Sequence, residues 1–125
     1  MLLGGTCAVL LTVGAAGAAQ AGTSSGTVAT VTNSSGRQVG ELTFVDDGDD
    51  FYVWDEYADG HGVRGEIHYA GTKLASAYDG TGADGTIAHF HYDITPGTTY
   101  FVEVCTVDGA NDTTPVACGT GTVTE

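Results

Sequence analysis

The stretch Ile94-Thr95-Pro96-Gly97-Thr98-Thr99-Tyr100-Phe101-Val102-Glu103-Val104 decides the fold of this chain. Its Pro-Gly pair marks a tight turn, and valines then recur at every second position. A period of two is the pattern of a half-buried strand, so Tyr100, Val102 and Val104 are expected to face a core. By the same parity, Cys105 is expected to point outward.

The order of residue types in this stretch is distinctive: an apolar residue, Pro-Gly-Thr, a tyrosine and then the valines. It resembles the E–F corner of fibronectin type III domains, which are immunoglobulin-like sandwiches. The resemblance implies that Tyr100 begins strand F and that its hydroxyl bonds back to the backbone of the corner. Two features depart from that family: Trp54 falls on the third predicted strand, and an acidic hairpin turn joins the second strand to the third.

A second resemblance covers the run from Phe44 to Val63, with its Asp-Asp-Gly-Asp-Asp turn and the Phe-Tyr-Val-Trp-Asp segment that follows. This run is similar to small exported actinobacterial proteins of unassigned function. Their glycine- and alanine-rich composition agrees with that of this chain. The resemblance implies no particular activity.

The period of two recurs along the chain, and no segment has a convincing amphipathic-helix pattern. Clusters of glycine, asparagine and aspartate separate the strands. Strands are predicted at Thr27–Thr32, Gln38–Val45, Phe51–Tyr57, Val63–Tyr69, Thr86–Ile94, Thr98–Val107 and Ala117–Val123, and less clearly at Lys73–Tyr78. About seven strands predict an all-β, immunoglobulin-like antiparallel β-sandwich over residues 27–125.

The first 21 residues carry no charge and contain a short apolar run followed by small residues. They end in Ala19-Gln20-Ala21, the small-x-small pattern that signal peptidase accepts. The run is too short to span a bilayer, which needs about 20 apolar residues. We therefore predict a cleaved signal peptide at residues 1–21, a flexible arm at 22–26 and a secreted, extracellular protein.

Cleavage would remove Cys7 and leave Cys105 and Cys118. An even number of cysteines in a small exported domain favours a disulfide. Turn-forming residues lie between the two cysteines, so the disulfide is expected to staple a hairpin. The loop of this hairpin, with Asp108 and Asn111, is the preferred contact element, because loops on rigid sandwiches commonly carry recognition.

The composition excludes two classes of partner. Sixteen acidic residues stand against three basic ones, which gives a formal net charge of −13. Nucleic acids and anionic membrane surfaces both require clustered Lys and Arg, so neither is expected to bind. Repulsion between like-charged copies also favours a monomer.

Two sets of side chains offer metal ligands. Carboxylates suited to calcium lie in one hairpin turn, which lacks the EF-hand pattern and is also typical of a solvated acidic turn. The residues of that turn are Asp46, Asp47, Asp49 and Asp50.

Histidines make up the second set. His89 and His91 share a face of one predicted strand, and His68 lies on the polar face of another. If those strands are neighbours, the imidazoles form a zinc or copper site; otherwise they decorate a wet sheet face.

Aromatic residues outnumber the places in so small a core. On the third predicted strand Tyr52 and Trp54 share one face, and Phe51 and Val53 share the other, so either pair could be core. A tryptophan on a central strand is ordinarily core packing. If Tyr52 and Trp54 lie outside, they form a platform of the kind that binds sugars or proteins.

Signatures of catalysis are missing from the sequence, which has no Gly-x-Ser-x-Gly, no zincin motif and no phosphate-cradling glycine loop. We therefore predict a non-catalytic binding or surface-interaction module whose partner is an extracellular protein or a glycan. The alternatives are a protein that binds calcium, zinc or copper and, less favoured, a small hydrolase that uses paired carboxylates. No cofactor is expected unless calcium binds.

Overall fold

The computed structural model describes residues 22–125, and the predicted signal peptide, residues 1–21, lies outside the described residues. Within residues 22–125 the chain forms eight strands and no helix, so no helix there is long and apolar enough to cross a membrane. The strands are β1 Gly26–Thr32, β2 Gln38–Val45, β3 Asp50–Asp55, β4 Gly62–Tyr69, β5 Thr72–Asp79, β6 Ala88–His91, β7 Thr99–Val107 and β8 Ala117–Thr124.

The strands form two antiparallel sheets of four. Sheet A has the order β1-β2-β3-β6, and sheet B has the order β5-β4-β7-β8. Buried side chains from both sheets pack together as one core between them. The prediction of an all-β fold built on two antiparallel sheets is confirmed.

Three predicted strand segments differ notably from the observed ones. The weakly indicated segment Lys73–Tyr78 is a full strand, β5, so the predicted count of seven was one short. The segment Thr86–Ile94 forms only the four-residue strand β6. Its partner β3 begins at Asp50, which pairs with His91, so β3 offers no pairing residue beyond that point.

The third strand ends at Asp55, two residues earlier than predicted. The buried carboxylate of Asp55 accepts the backbone N–H of Tyr57 (3.4 Å) and of Gly82 (3.0 Å), which turns the chain out of the sheet. A second buried carboxylate, that of Asp79, accepts the N–H of Asp55 itself (3.0 Å). Burial raises the pKa of Asp55 above its ordinary value.

Core side chains come from the inner faces of both sheets. The largest of the fully buried ones are Phe44, Phe51, Leu42 and Ile67. Tyr100, Val102 and Val104 are buried, as their parity predicted. The hydroxyl of Tyr100 accepts the backbone N–H of Thr95 (3.1 Å), which fixes the turn that precedes β7.

Along one edge of the sandwich, β1 of sheet A lies against β8 of sheet B. Gly119 and Gly121 permit this approach, because they face β1 without a side chain. A Cβ on Gly119 would overlap the carbonyl oxygen of Thr30, and a Cβ on Gly121 would overlap that of Val28. We call this line of contact the glycine seam.

Residues 22–25, predicted as part of a flexible arm, lie beside the end of β8. The N–H of Thr23 donates to the carbonyl of Thr124, and the N–H of Thr124 donates to Oγ1 of Thr23 (3.0 Å). Oγ of Ser25 also accepts the N–H of Asp46 (2.8 Å). The two bonds between Thr23 and Thr124 place the start of the described chain next to its end.

Candidate functional site

Cys105 in β7 and Cys118 in β8 face each other in register and form a disulfide, as predicted. The pairing is between neighbouring strands and does not cross the core. Cys105 points away from the core, yet only 1% of it is exposed, so its outward direction does not make it accessible. Arg64, opposite Cys105 on β4, donates to the carbonyls of Ala110 (3.2 Å) and Asp112 (2.6 Å) and so ties the 108–116 loop across this face.

The 108–116 loop meets the loop that joins β3 to β4. Oδ1 of Asp108 lies 2.6 Å from Nδ1 of His61, whereas Asn111 is exposed near the loop tip and makes no side-chain hydrogen bond with another described residue. A cavity of about 450 Å³ lies beside this contact, with Asp59, His61 and Val116 among its lining residues. Asp108 therefore has a structural partner within the protein, whereas the side chain of Asn111 is exposed to solvent.

Trp54 is on the outer face of sheet A and is 37% exposed, so the alternative that places it in the core is wrong. Phe51 and Val53, which have the opposite parity, fill the core instead. The register of β2 against β3 sets this choice, because it pairs Phe51 with the fully buried Phe44.

Polar groups surround Trp54 and Tyr52 on this face. Glu41 is opposite Trp54, and its carboxylate accepts the hydroxyl of Thr43 (3.1 Å). His89 is opposite Tyr52, with their ring centroids 5.0 Å apart. We call Tyr52, Trp54, His89 and Glu41 the aromatic platform.

The acidic turn and the β6 histidines, predicted as separate sets, meet at the edge of sheet A. Oδ1 of Asp50 lies 2.8 Å from Nε2 of His89 and 3.5 Å from Nδ1 of His91. Nε2 of His91 lies 2.9 Å from Oδ1 of Asp93. The hydrogen bond from His89 lowers the pKa of Asp50, and the bond to Asp93 raises the pKa of His91.

The other three aspartates of the acidic turn are arranged differently. Oδ2 of Asp49 accepts the N–H of Ile94 (2.8 Å), while Asp46 and Asp47 are exposed. The structure does not gather these carboxylates around one point among the described residues. Calcium binding by the turn stays a prediction.

His68 lies in sheet B, whereas His89 and His91 lie in sheet A. The condition for the three-imidazole site, neighbouring strands, is therefore not met. Among residues 22–125, two groups place three ligand atoms within 4.8 Å of one another: Glu66–His68–Glu103, and Glu103 with the two disulfide cysteines. Disulfide sulfurs are not thiolate ligands, so only the first group has a usable donor set.

Glu66 is the centre of that first group, and only 6% of it is exposed. Its carboxylate lies 2.6 Å from Nε of Arg64, in ionic contact without a directed hydrogen bond, and 2.9 Å from Nε2 of His68. Nζ of Lys73 is 3.6 Å away. Burial raises the pKa of Glu66, but the bond from His68 and the charges of Arg64 and Lys73 outweigh burial and hold it below its ordinary value.

A groove of about 460 Å³ lies next to this cluster at the end of sheet B, beside the β4–β5 turn. Its aromatic walls are Tyr69 and Phe101, which are 51% and 43% exposed. The ring of His68 meets that of Phe101 edge-on, with centroids 5.8 Å apart. This groove was not among the sequence predictions, although Phe101 breaks the apolar–polar alternation of its strand and was a usable signal.

Two of the imidazole–carboxylate contacts, His61 with Asp108 and His91 with Asp93, predict how stability depends on pH. Hydrogen bonds from the imidazoles to the carboxylates of Asp108 and Asp93 raise the pKa values of His61 and His91. Their contribution is therefore complete below about pH 6.5 and is lost as the pH rises through the raised values. We expect the double variant His61→Gln/His91→Gln to melt below the wild type near pH 5.5 and to approach it near pH 8.5 in thermal denaturation. A gap that stays constant over this range would contradict the assignment.

The molecule thus carries two candidate surfaces on opposite sheets, the aromatic platform on sheet A and the groove on sheet B. Their outer faces point away from the shared core, so each can act without the other. No protein-family model, curated protein or solved structure matches this chain, so the geometry of these surfaces carries the functional argument.

Proposed function

We propose that the protein is an exported, immunoglobulin-like β-sandwich that binds a neutral glycan on its aromatic platform and performs no catalysis. The observation that carries the proposal is the position of Trp54. This tryptophan, the only one in the chain, is held on an outer sheet face instead of being packed in the core.

The chemistry of the platform supports a sugar ligand. Pyranose rings present flat C–H faces that pack on aromatic rings, and their hydroxyls need nearby polar partners. Trp54 and Tyr52 supply the rings, while Glu41 and the hydroxyl of Thr43 supply hydrogen-bonding groups within the same rows of the sheet. The net charge of −13 disfavours polyanionic glycans, so a neutral chain is the expected ligand.

The strand order supports the immunoglobulin-like type. If β1 is an added N-terminal strand, then β2, β3 and β6 correspond to strands A, B and E, and β5, β4, β7 and β8 correspond to C′, C, F and G. The acidic hairpin then joins A to B within one sheet, and Trp54 lies on strand B. The bond between Tyr100 and Thr95 is the contact that a tyrosine corner makes.

Export is supported by the disulfide. Such bonds form and persist in oxidising compartments outside the cytosol. The bond between Cys105 and Cys118 therefore agrees with the predicted signal peptide.

Co-sedimentation with insoluble cellulose, chitin and mannan tests the proposal. We expect the wild type to bind at least one of them and Trp54→Ala to bind about tenfold more weakly, because one well-placed aromatic anchor contributes more than about 1.4 kcal/mol. Tyr52→Ala should also weaken binding. With soluble oligosaccharides, fluorescence offers a direct readout, since Trp54 is the only tryptophan.

Phe101→Ala is the matched control, because it removes an exposed ring of comparable size from the opposite sheet. It should leave glycan binding unchanged. Equal losses in Trp54→Ala and Phe101→Ala, or binding that survives Trp54→Ala, would remove the platform as the binding site.

A further inference from the structure

We propose that the groove on sheet B is a second binding site, which receives the guanidinium group of an arginine from a partner polypeptide. The site is independent of the aromatic platform, because it lies on the opposite sheet. Its aromatic walls are Tyr69 and Phe101, and the carboxylate of Glu103 lies beside the groove, with an oxygen within 4.8 Å of a ring nitrogen of His68, which lines it.

Glu103 is the residue that points to a cation. It is partly buried in β7 and makes no ion pair or side-chain hydrogen bond with any residue of the described part, 22–125. It also stands directly opposite Glu66, and oxygens of the two carboxylates lie within 4.8 Å of each other. Like charges opposite each other on neighbouring strands destabilise a sheet, so a cation bound here would relieve a repulsion that the free protein carries.

The nearby cationic side chains do not form ion pairs with Glu103. Arg64 and Lys73 both make their ion pairs with Glu66, and Arg64 is further held by the carbonyls of the 108–116 loop. The overall charge of −13 adds a general attraction for a basic partner. An arriving cation would therefore meet a carboxylate that no charge in the described chain already neutralises.

The groove favours guanidinium over a metal ion. A metal bound by Glu66, His68 and Glu103 would need Nε2 of His68 or another free donor. That nitrogen lies 2.9 Å from the carboxylate of Glu66, which also forms an ion pair with Arg64. Guanidinium leaves those contacts in place. It is planar, stacks on aromatic faces and donates two parallel hydrogen bonds to one carboxylate.

The size and shape of the groove agree with a side chain on a polypeptide. Its volume of about 460 Å³ is in the range of small-ligand sites, and it is open to the surface beside the β4–β5 turn. The aliphatic stem of an arginine can pack on Phe101 and Tyr69 while its head reaches Glu103. The bordering Ala70-Gly71 turn has no bulky side chain, so a backbone can approach.

Calorimetric titration of the purified protein tests the proposal with the acetylated peptide amide Ala-Ala-Arg-Ala-Ala. The control peptide carries citrulline in place of arginine, which keeps the shape and removes the charge. We expect the arginine peptide to bind at least about tenfold more tightly than the citrulline peptide. Glu103→Gln and Phe101→Ala should each weaken the arginine peptide about tenfold, and Trp54→Ala should have no effect.

A second measurement separates binding from structure. Glu103→Gln removes the repulsion with Glu66, so the free variant should melt at the same temperature as the wild type or higher, even though it binds less. Equal binding of the citrulline peptide, or unchanged binding to Glu103→Gln, would overturn the proposal. It would also be overturned if zinc or calcium chloride bound through Glu103 and excluded the peptide.

Discussion

Gly119→Ala is expected to lower the free energy of unfolding by about 3 kcal/mol or more. The new methyl group would overlap the carbonyl oxygen of Thr30, and a backbone atom held in a sheet cannot move aside as a flexible side chain can. The glycine seam would have to open, which separates β1 from β8. For a domain of this size the melting temperature should fall by at least about 12 °C, measured by calorimetry or by circular dichroism.

Thr120→Ala is the matched control, because Thr120 lies between the two glycines and points outward. The free energy of unfolding of Thr120→Ala should stay within about 1 kcal/mol of the wild-type value, because strand propensities differ over that range. Gly121→Ala should behave like Gly119→Ala, since its Cβ would overlap the carbonyl of Val28. A Gly119→Ala protein as stable as Thr120→Ala would show that the two strands do not approach so closely.

Loss of the disulfide should have an effect of similar size. Cys105→Ala/Cys118→Ala is expected to lower the free energy of unfolding by about 3 kcal/mol, because the bond closes a loop across a sequence separation of 13. Buried Cys105 adds a packing loss. Urea denaturation measures the change, and loss of the bond should also hasten proteolysis in the 108–116 loop.

Reduction of the wild type by dithiothreitol should reproduce the part of this loss that comes from the cross-link, while the double variant should not respond to the reductant. This comparison separates the cross-link from the lost sulfur atoms. A double variant within about 1 kcal/mol of the oxidised wild type would mean that Arg64 alone holds the loop, through the carbonyls of Ala110 and Asp112.

The periodicity of the sequence predicted the architecture because inner-face residues on a strand must alternate. Tyr100, Val102 and Val104 are buried as that rule requires, and the disulfide follows from the two cysteines that the predicted cleavage leaves. The alternation of residues along β3 could not show which of its two faces is buried, because both faces carry large aromatic residues. The pairing of Phe51 with Phe44 decides that point, and it is a property of register between strands.

The carboxylate pair beside the second candidate site was beyond reach of the sequence for a related reason. Glu66 and Glu103 are distant along the chain, and only the pairing of β4 with β7 makes them direct neighbours. Likewise, His68 was grouped with His89 and His91 by residue type, although the strands that carry them belong to different sheets. Residue type indicates which chemistry a side chain can perform, whereas strand order decides which side chains lie close enough to act together.

The glycine seam has a consequence for how the protein meets copies of itself. An exposed strand edge is a template on which another chain can add a strand, and such addition leads to aggregation. Where β1 and β8 press together, the carbonyls of Val28 and Thr30 are covered by the glycines of β8 and are not open to a foreign strand. The opposite side of sheet A ends in β6, only four residues long, which offers an invading chain little to pair with.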